Sequence, residues 1–243
     1  MKIAVLSKMH NEEDLLPIFL NHYSYADRIM IYLDRSTNDR SVEIIQSCKN
    51  ARIIWGEGDG KLNDLICAND LNKIAAECTY DWLIYADADE FVFPQNFEDP
   101  REVLSRIDGN LIYSHMWNIY KHESEPELDL NNLSILQRRH GDPHIIYECK
   151  KPNIIKPEIG IQWGVGCHEY YPNNKIQVSS YHFQGAHWQS ADLELACKRR
   201  IKGVKERLSD MNLNNGWAFH NFDITREKIA ALMEEHKNDP QLF

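Results

Sequence analysis

Tyr80-Asp81-Trp82-Leu83-Ile84-Tyr85-Ala86-Asp87-Ala88-Asp89-Glu90-Phe91-Val92-Phe93 is the stretch on which the reading of the whole chain turns. It opens as an apolar, aromatic run, the pattern of a buried strand. It then places three carboxylates within four positions. Read as a continuing strand, alternation sends Asp87 and Asp89 to one face. Two carboxylates on one face repel each other and resist loss of water unless a cation lies between them. A divalent ion with oxygen ligands, Mg²⁺ or Mn²⁺, meets that need and keeps positions open for phosphate oxygens. The plainer reading is a solvated acidic turn after a core strand, and the rest of the chain decides between the two.

Upstream, strand patterns alternate with helix patterns. Lys2 to Ser7 predicts a short buried strand, and Asn11-Glu12-Glu13-Asp14 supplies cap and first-turn residues for a helix running to about Tyr23. Pro17 fits only early in that helix. Arg28 to Asp34 predicts a second strand, Ser41 to Cys48 a helix, Ala51 to Trp55 a third strand and Asn63 to Cys78 a longer helix. Strands alternating with helices of this length predict an α/β fold, a mostly parallel sheet with helices on both faces. Ligands in such sheets gather at the carboxyl ends of the strands. Three of the four strands carry polar or acidic residues there: Ser7 to Glu12, Asp34 to Asp39, and Asp87 to Glu90.

The second half reads as α+β. A helix is expected over 99–107, a strand over 110–120, an acidic loop over 121–132, and short strands at 145–147, 153–155, 161–163 and 176–183. Residues 192–208 predict a basic helix, and Thr225 caps a last helix reaching about His236. No repeat or linker divides the chain, so one domain is expected over 1–243, with 1–95 as a nucleotide-binding half and 96–243 as an acceptor-side half.

Composition narrows the function. The 243 residues, 43% hydrophobic and 26% charged, suit a water-soluble globular protein. The net charge of −10 disfavours nonspecific nucleic-acid binding and means that an anionic substrate needs a metal or a local basic cluster. The six cysteines are scattered without a C-x-x-C pair, which points to reduced thiols in a cytoplasmic setting. Residues 1–6 are too short an apolar run for a secretion signal, and no run approaches the roughly 18 apolar residues of a membrane span.

Four segments together resemble the family 2 glycosyltransferases of the GT-A fold, a Rossmann-like α/β architecture, and within them a short bacterial group carrying D-x-D-E-F. They are Lys8-Met9-His10-Asn11-Glu12-Glu13, Asp34-Arg35-Ser36-Thr37-Asn38-Asp39-Arg40-Ser41, Asp87-Ala88-Asp89-Glu90-Phe91, and Tyr181-His182-Phe183 followed by Arg199-Arg200-Ile201-Lys202-Gly203. The second departs from the commoner D-N-G-S-T-D-G-T at Arg35, Ser36, Thr37 and Asn38. The resemblance implies a nucleotide-sugar donor, UDP- or GDP-linked, and a saccharide or lipid-linked glycan acceptor in surface polysaccharide synthesis. Asn11, Glu12, Asp34 and Asp39 would serve the nucleotide. Asp87 would lie near the ribose and the metal, Asp89 would bind Mn²⁺ or Mg²⁺ directly, and His182 would complete the metal shell or touch the diphosphate. Arg199 and Lys202, three apart on a helix, would neutralise the diphosphate.

The chemistry suits those residue types. The departing diphosphate gains negative charge, which a divalent ion and Arg or Lys stabilise. Inversion also needs a base beside the acceptor hydroxyl. The family's usual E-D pair is not evident. Glu169, after the Trp163-Gly164-Val165-Gly166 turn, is the favoured candidate, with Asp142, Glu148 and His168 as the others. A nucleotidyltransferase would carry a Gly-rich basic loop where this chain has His10-Asn11-Glu12-Glu13. A two-metal phosphohydrolase would need more strand-end His and Asp. A non-catalytic carbohydrate-binding relative remains the third alternative. Basic residues at 198–207 are compatible with a peripheral membrane contact.

Overall fold

The structure, a computed structural model, describes residues 1–56, 59–143 and 150–243. An eight-stranded sheet runs in the order β3-β2-β1-β4-β7-β6-β10-β5. Its strands are β1 (Ile3–Met9), β2 (Arg28–Asp34), β3 (Ala51–Gly56), β4 (Trp82–Tyr85), β5 (Glu90–Phe93), β6 (Leu111–Tyr120), β7 (Lys150–Ile155) and β10 (Phe183–Ser190). All but β5 and β7 point the same way, so the sheet is mostly parallel, as expected. A separate hairpin joins β8 (Ile161–Trp163) to β9 (Tyr170–Pro172).

Alternation along β1 shows why helices cover both faces. Ile3 and Val5 enter one core with Leu16 and Phe19 of α1 (Leu16–His22), Ile45 of α2 (Ser41–Ser47), and Val103 and Leu104 of α4 (Pro100–Arg106). Ala4 and Leu6 enter the other with Leu71 and Ala75 of α3 (Asp64–Ala76). Asn63 caps α3 and Asp99 caps α4 through side-chain oxygens. The cap expected for α1 is absent: Asn11 takes a left-handed φ of 52° and its side chain ties instead to Asn38.

The opening stretch is not one strand. Tyr85 ends β4, and a turn closed by Glu90 N–H donating to the Asp87 carbonyl (2.9 Å) leads into β5. Such a turn brings its ends within about 7 Å, and two extended residues add about 7 Å. In a flat sheet β4 and β5 would lie four spacings apart, about 19 Å. The sheet therefore curls until β5, on its last edge, returns beside the end of β4. That curl brings the acidic turn and β10 together.

Other expectations shift. The strand placed at 176–183 begins at Phe183 and runs to Ser190. The basic helix is three short pieces: α5 (Leu193–Ala196), a π-helical stretch over Cys197–Val204 and a 3₁₀ turn at Lys205–Arg207. After them come α6 (Asp210–Asn215) and α7 (Arg226–His236), the latter capped by Thr225 as expected. The strand expected at 145–147 lies outside the described residues.

Candidate functional site

The carboxyl ends of β1, β2, β4, β6 and β10 open into one cavity of about 1850 Å³. Register decides which side chains meet there. Glu90 of β5 sits opposite His187 of β10, and His187 sits beside Asn118 of β6. The His187 Nδ1–H donates to Asn118 Oδ1 (2.9 Å), and its Nε2 lies 3.5 Å from Asp89 Oδ2. Arg199, from the π-helical stretch, donates through an Nη to Asp89 Oδ2 (2.5 Å) and through Nε to Glu12 Oε2 (2.8 Å). Glu12, Arg199, Asp89, His187 and Asn118 thus form a continuous chain of polar contacts along the cavity floor.

Asp87 belongs to a second group. The Tyr85 hydroxyl donates to Asp87 Oδ1 (2.6 Å), and Lys151 Nζ donates to Asp87 Oδ2 (3.0 Å) and to Glu90. Lys151, at the start of β7, is 4% exposed, so it is a buried cation between two carboxylates. Asp87 and Asp89 are therefore two residues apart but face different cations, because a turn, not a strand, carries them.

These groups perturb one another. Burial opposes ionisation of Asp89, but Arg199 and His187 overcome it and hold its carboxyl well below the usual range. Burial disfavours the His187 imidazolium, yet Asp89 more than compensates and its pKa rises. Burial pushes the Glu90 carboxyl up against the pull of Lys151. At His10 burial dominates and lowers the imidazole to about 4, so this cavity-lining ring is neutral at pH 7. Asp89 ionises more readily folded than unfolded. Its stabilising contribution is full above the unfolded value of about 3.9 and is lost as pH falls through the lower folded value. The stability gap between the protein and Asp89→Asn should be full above about pH 4 and shrink on acidification, as melting curves across pH will show.

The structure brings Asn11, Glu12, Asp34, Asp87, Asp89, Glu169, Arg199 and Lys202 to the cavity wall. Asp34 is held by the Ser36 hydroxyl (2.7 Å) and Arg207 (2.5 Å). Lys202 is exposed and makes no side-chain hydrogen bond or ion pair among the described residues. Glu169 lies in the hairpin between β8 and β9, where Tyr171 OH donates to its Oε2 (3.2 Å), and His168 lines the cavity beside it. Asp39 is not on the wall; it accepts from the Glu13 and Ser41 backbone N–H groups and shapes the turn. Asp142 is not on the wall either, and Glu148 lies outside the described residues.

His182 is not brought to the cavity. Its ring stacks on His115 with centroids 4.5 Å apart. His187, inside β10, reaches the cavity in its place, whereas His182 precedes that strand. The signal in the sequence was Ala186-His187-Trp188-Gln189, where apolar residues alternate with His187 and Gln189 and so place those two on the same face.

Among the described residues no three of His, Cys, Asp and Glu group as an all-protein metal site would require. Ions that work on phosphates commonly take one or two protein ligands and draw the rest from phosphate and water. Asp89 and His187, an oxygen and a nitrogen donor 3.5 Å apart on the cavity floor, fit such a partial share. Asp87 fits it less well, since both of its oxygens already have protein partners.

Residues 5–156 match the family described as glycosyl transferase family 2. No curated protein matches the chain. Among solved structures it is similar to residues 1–349 of S. aureus TarS, at 13% identity and a TM-score of 0.48, over 92% of this chain and 74% of that one. It spans 43% of the longer TarS chain. It is also similar to glucosyl-3-phosphoglycerate synthase from Mycobacterium tuberculosis, solved with Mn²⁺, UDP and phosphoglyceric acid, at 17% identity and a TM-score of 0.35, over 47% of this chain and 43% of that one. With a family match that takes in β1 through β7, the chain belongs to glycosyl transferase family 2.

Proposed function

We propose that the protein transfers a sugar, with inversion, from a UDP- or GDP-sugar to a glycan or glycolipid acceptor in surface polysaccharide synthesis. The observation that carries this reading is the Glu12–Arg199–Asp89–His187 chain on the floor of a large cavity, at the carboxyl ends of the parallel strands. In this reading Asn11, Asp34 and His10 face the nucleotide, and Asp39 sets the turn that orients them. Asp89 and His187 would hold the divalent ion, which when bound would draw charge from the diphosphate leaving group. His187 takes the role that the resemblance implied for His182. Arg199 orients Asp89 and fixes Glu12, while Lys202 is available to pair with a phosphate oxygen. Lys151 keeps Asp87 ionised in a buried setting and opposes the burial that pushes Glu90 towards its neutral form, and Asp87 thereby shapes the turn that presents Asp89.

Glu169 is the proposed base. It is exposed on the cavity wall, and the neighbouring Gly166, at a φ of 75°, lets the loop turn tightly there. Replacing Glu169 by Gln should lower kcat by about 100-fold or more, while nucleotide binding stays intact. Full-rate transfer by this variant would remove the assignment. The reading as a whole is tested by release of UDP or GDP from nucleotide-sugars with Mn²⁺. Turnover is expected. Absence of both turnover and metal-dependent nucleotide binding would instead favour a non-catalytic carbohydrate-binding protein.

A further inference from the structure

Most cations on the cavity wall are paired. Lys8, Lys151, Lys198, Arg199 and Arg207 each have a carboxylate oxygen within 3.2 Å. Lys61 and Lys202 are exposed, so water serves them. Arg200 differs from both groups. It lines the cavity at only 7% exposure and makes no ion pair among the described residues. Its Nε donates to Asn221 Oδ1 (3.2 Å), and its buried Nη1 has no hydrogen-bond partner. The acid whose field reaches it, Asp89, is already committed to Arg199 and His187. Burial accordingly pulls the guanidinium below its usual range. A charge buried without a counter-ion is costly, and one edge of this guanidinium is left unused beside a large cavity.

We infer that Arg200 receives an anionic group of the acceptor, a carboxylate or phosphate carried on a sugar. The inference rests on the transferase reading, which puts an acceptor beside Glu169. Placement favours the acceptor over the donor diphosphate. Arg199 turns to Glu12, just after β1, on the donor side. One residue on, Arg200 turns instead to Asn221, and its charge reaches Tyr120, at the end of β6, and His220. Burial lowers the His220 imidazole, and the charges of Arg200, His187 and His168 lower it further. Arg200 therefore shares its side of the cavity with His168 and, through it, with Glu169. With Nε engaged, the guanidinium still offers its two-pronged Nη edge, which matches a carboxylate or phosphate. Asp89 and Glu169 on the same wall would repel an anionic acceptor, so such an acceptor needs a dedicated cation.

Calorimetric and thermal-shift titrations with glucuronate, glucose 6-phosphate and glucose test this, each with and without UDP or GDP and Mn²⁺. The wild type should bind one of the two anionic sugars at least about tenfold tighter than glucose, and which one identifies the group. Arg200→Met should bind all three alike. Arg200→Lys, which keeps the charge and loses the fork, should fall between. Without sugar, Arg200→Met should melt within about 4 °C of wild type, because relief of an unpaired buried charge offsets the lost bond to Asn221. Should it melt lower, Arg200→Lys decides alone, and a full anion preference in that variant overturns the inference. Equal binding of the three sugars by the wild type, or an anion preference kept by a folded Arg200→Met, also overturns it. So does loss of nucleotide stabilisation in Arg200→Met, which would put the guanidinium on the donor diphosphate. Failure of the transferase reading shows separately, as wild-type protein that neither nucleotide stabilises, while the nucleotide-free titrations still read Arg200.

Discussion

Asp89→Asn should lower the transfer rate by about a thousandfold, equivalent to about 4 kcal/mol of transition-state stabilisation. The substitution preserves shape and removes one negative charge. That charge is 6% exposed and anchors two partners, Arg199 at 2.5 Å and His187 at 3.5 Å. Without it, Arg199 keeps only Glu12, and the imidazole loses the carboxylate that raises its pKa. The proposed ion loses its only charged protein ligand. Initial rates of nucleotide release at saturating donor measure the effect. A rate within tenfold of the wild type would show that Asp89 is a structural acid.

The second large effect is on stability. Lys151→Met should destabilise the fold by about 3–5 kcal/mol, because removing one member of a buried ion cluster leaves its partners uncompensated. Lys151 is the counter-ion for Asp87 and Glu90 together. For a chain of this size that corresponds to a melting temperature lower by roughly 10 °C. Glu90→Gln added to Lys151→Met should recover part of the loss, since burial already pushes the Glu90 carboxyl towards its neutral form. A single variant that melts within about 2 °C of wild type would mean that water reaches the cluster and screens it.

Much of the first half was legible because local pattern and global fold agree there. β1 to β4 and α1 to α3 follow from alternating apolar runs with polar turns between them, although only α3 carries a side-chain cap, and the acids at strand ends line the cavity. The pairing of β5 with β10 was not legible. It depends on the curl of the whole sheet, a long-range property that no window of sequence records. That pairing selects His187, so reading the late strand at 176–183 led to His182, which precedes β10. Lys151 gave no signal either: as part of a Lys-Lys pair before a proline it looks like a solvated strand end. Its burial follows from its place opposite Ser114, facing the acidic turn. Glu169 and Lys202 line the cavity, although the helix expected to carry Lys202 is three pieces.

Calorimetric titration of UDP and GDP, with Mn²⁺ and with chelator, into the wild type, Asp89→Asn and His187→Ala tests the donor site most directly. The wild type should bind one of the two nucleotides at least tenfold tighter with Mn²⁺, a gain of about 1.4 kcal/mol or more, and each variant should lose that gain. Equal nucleotide affinity with metal and with chelator, or a full metal gain retained by His187→Ala, would contradict the account.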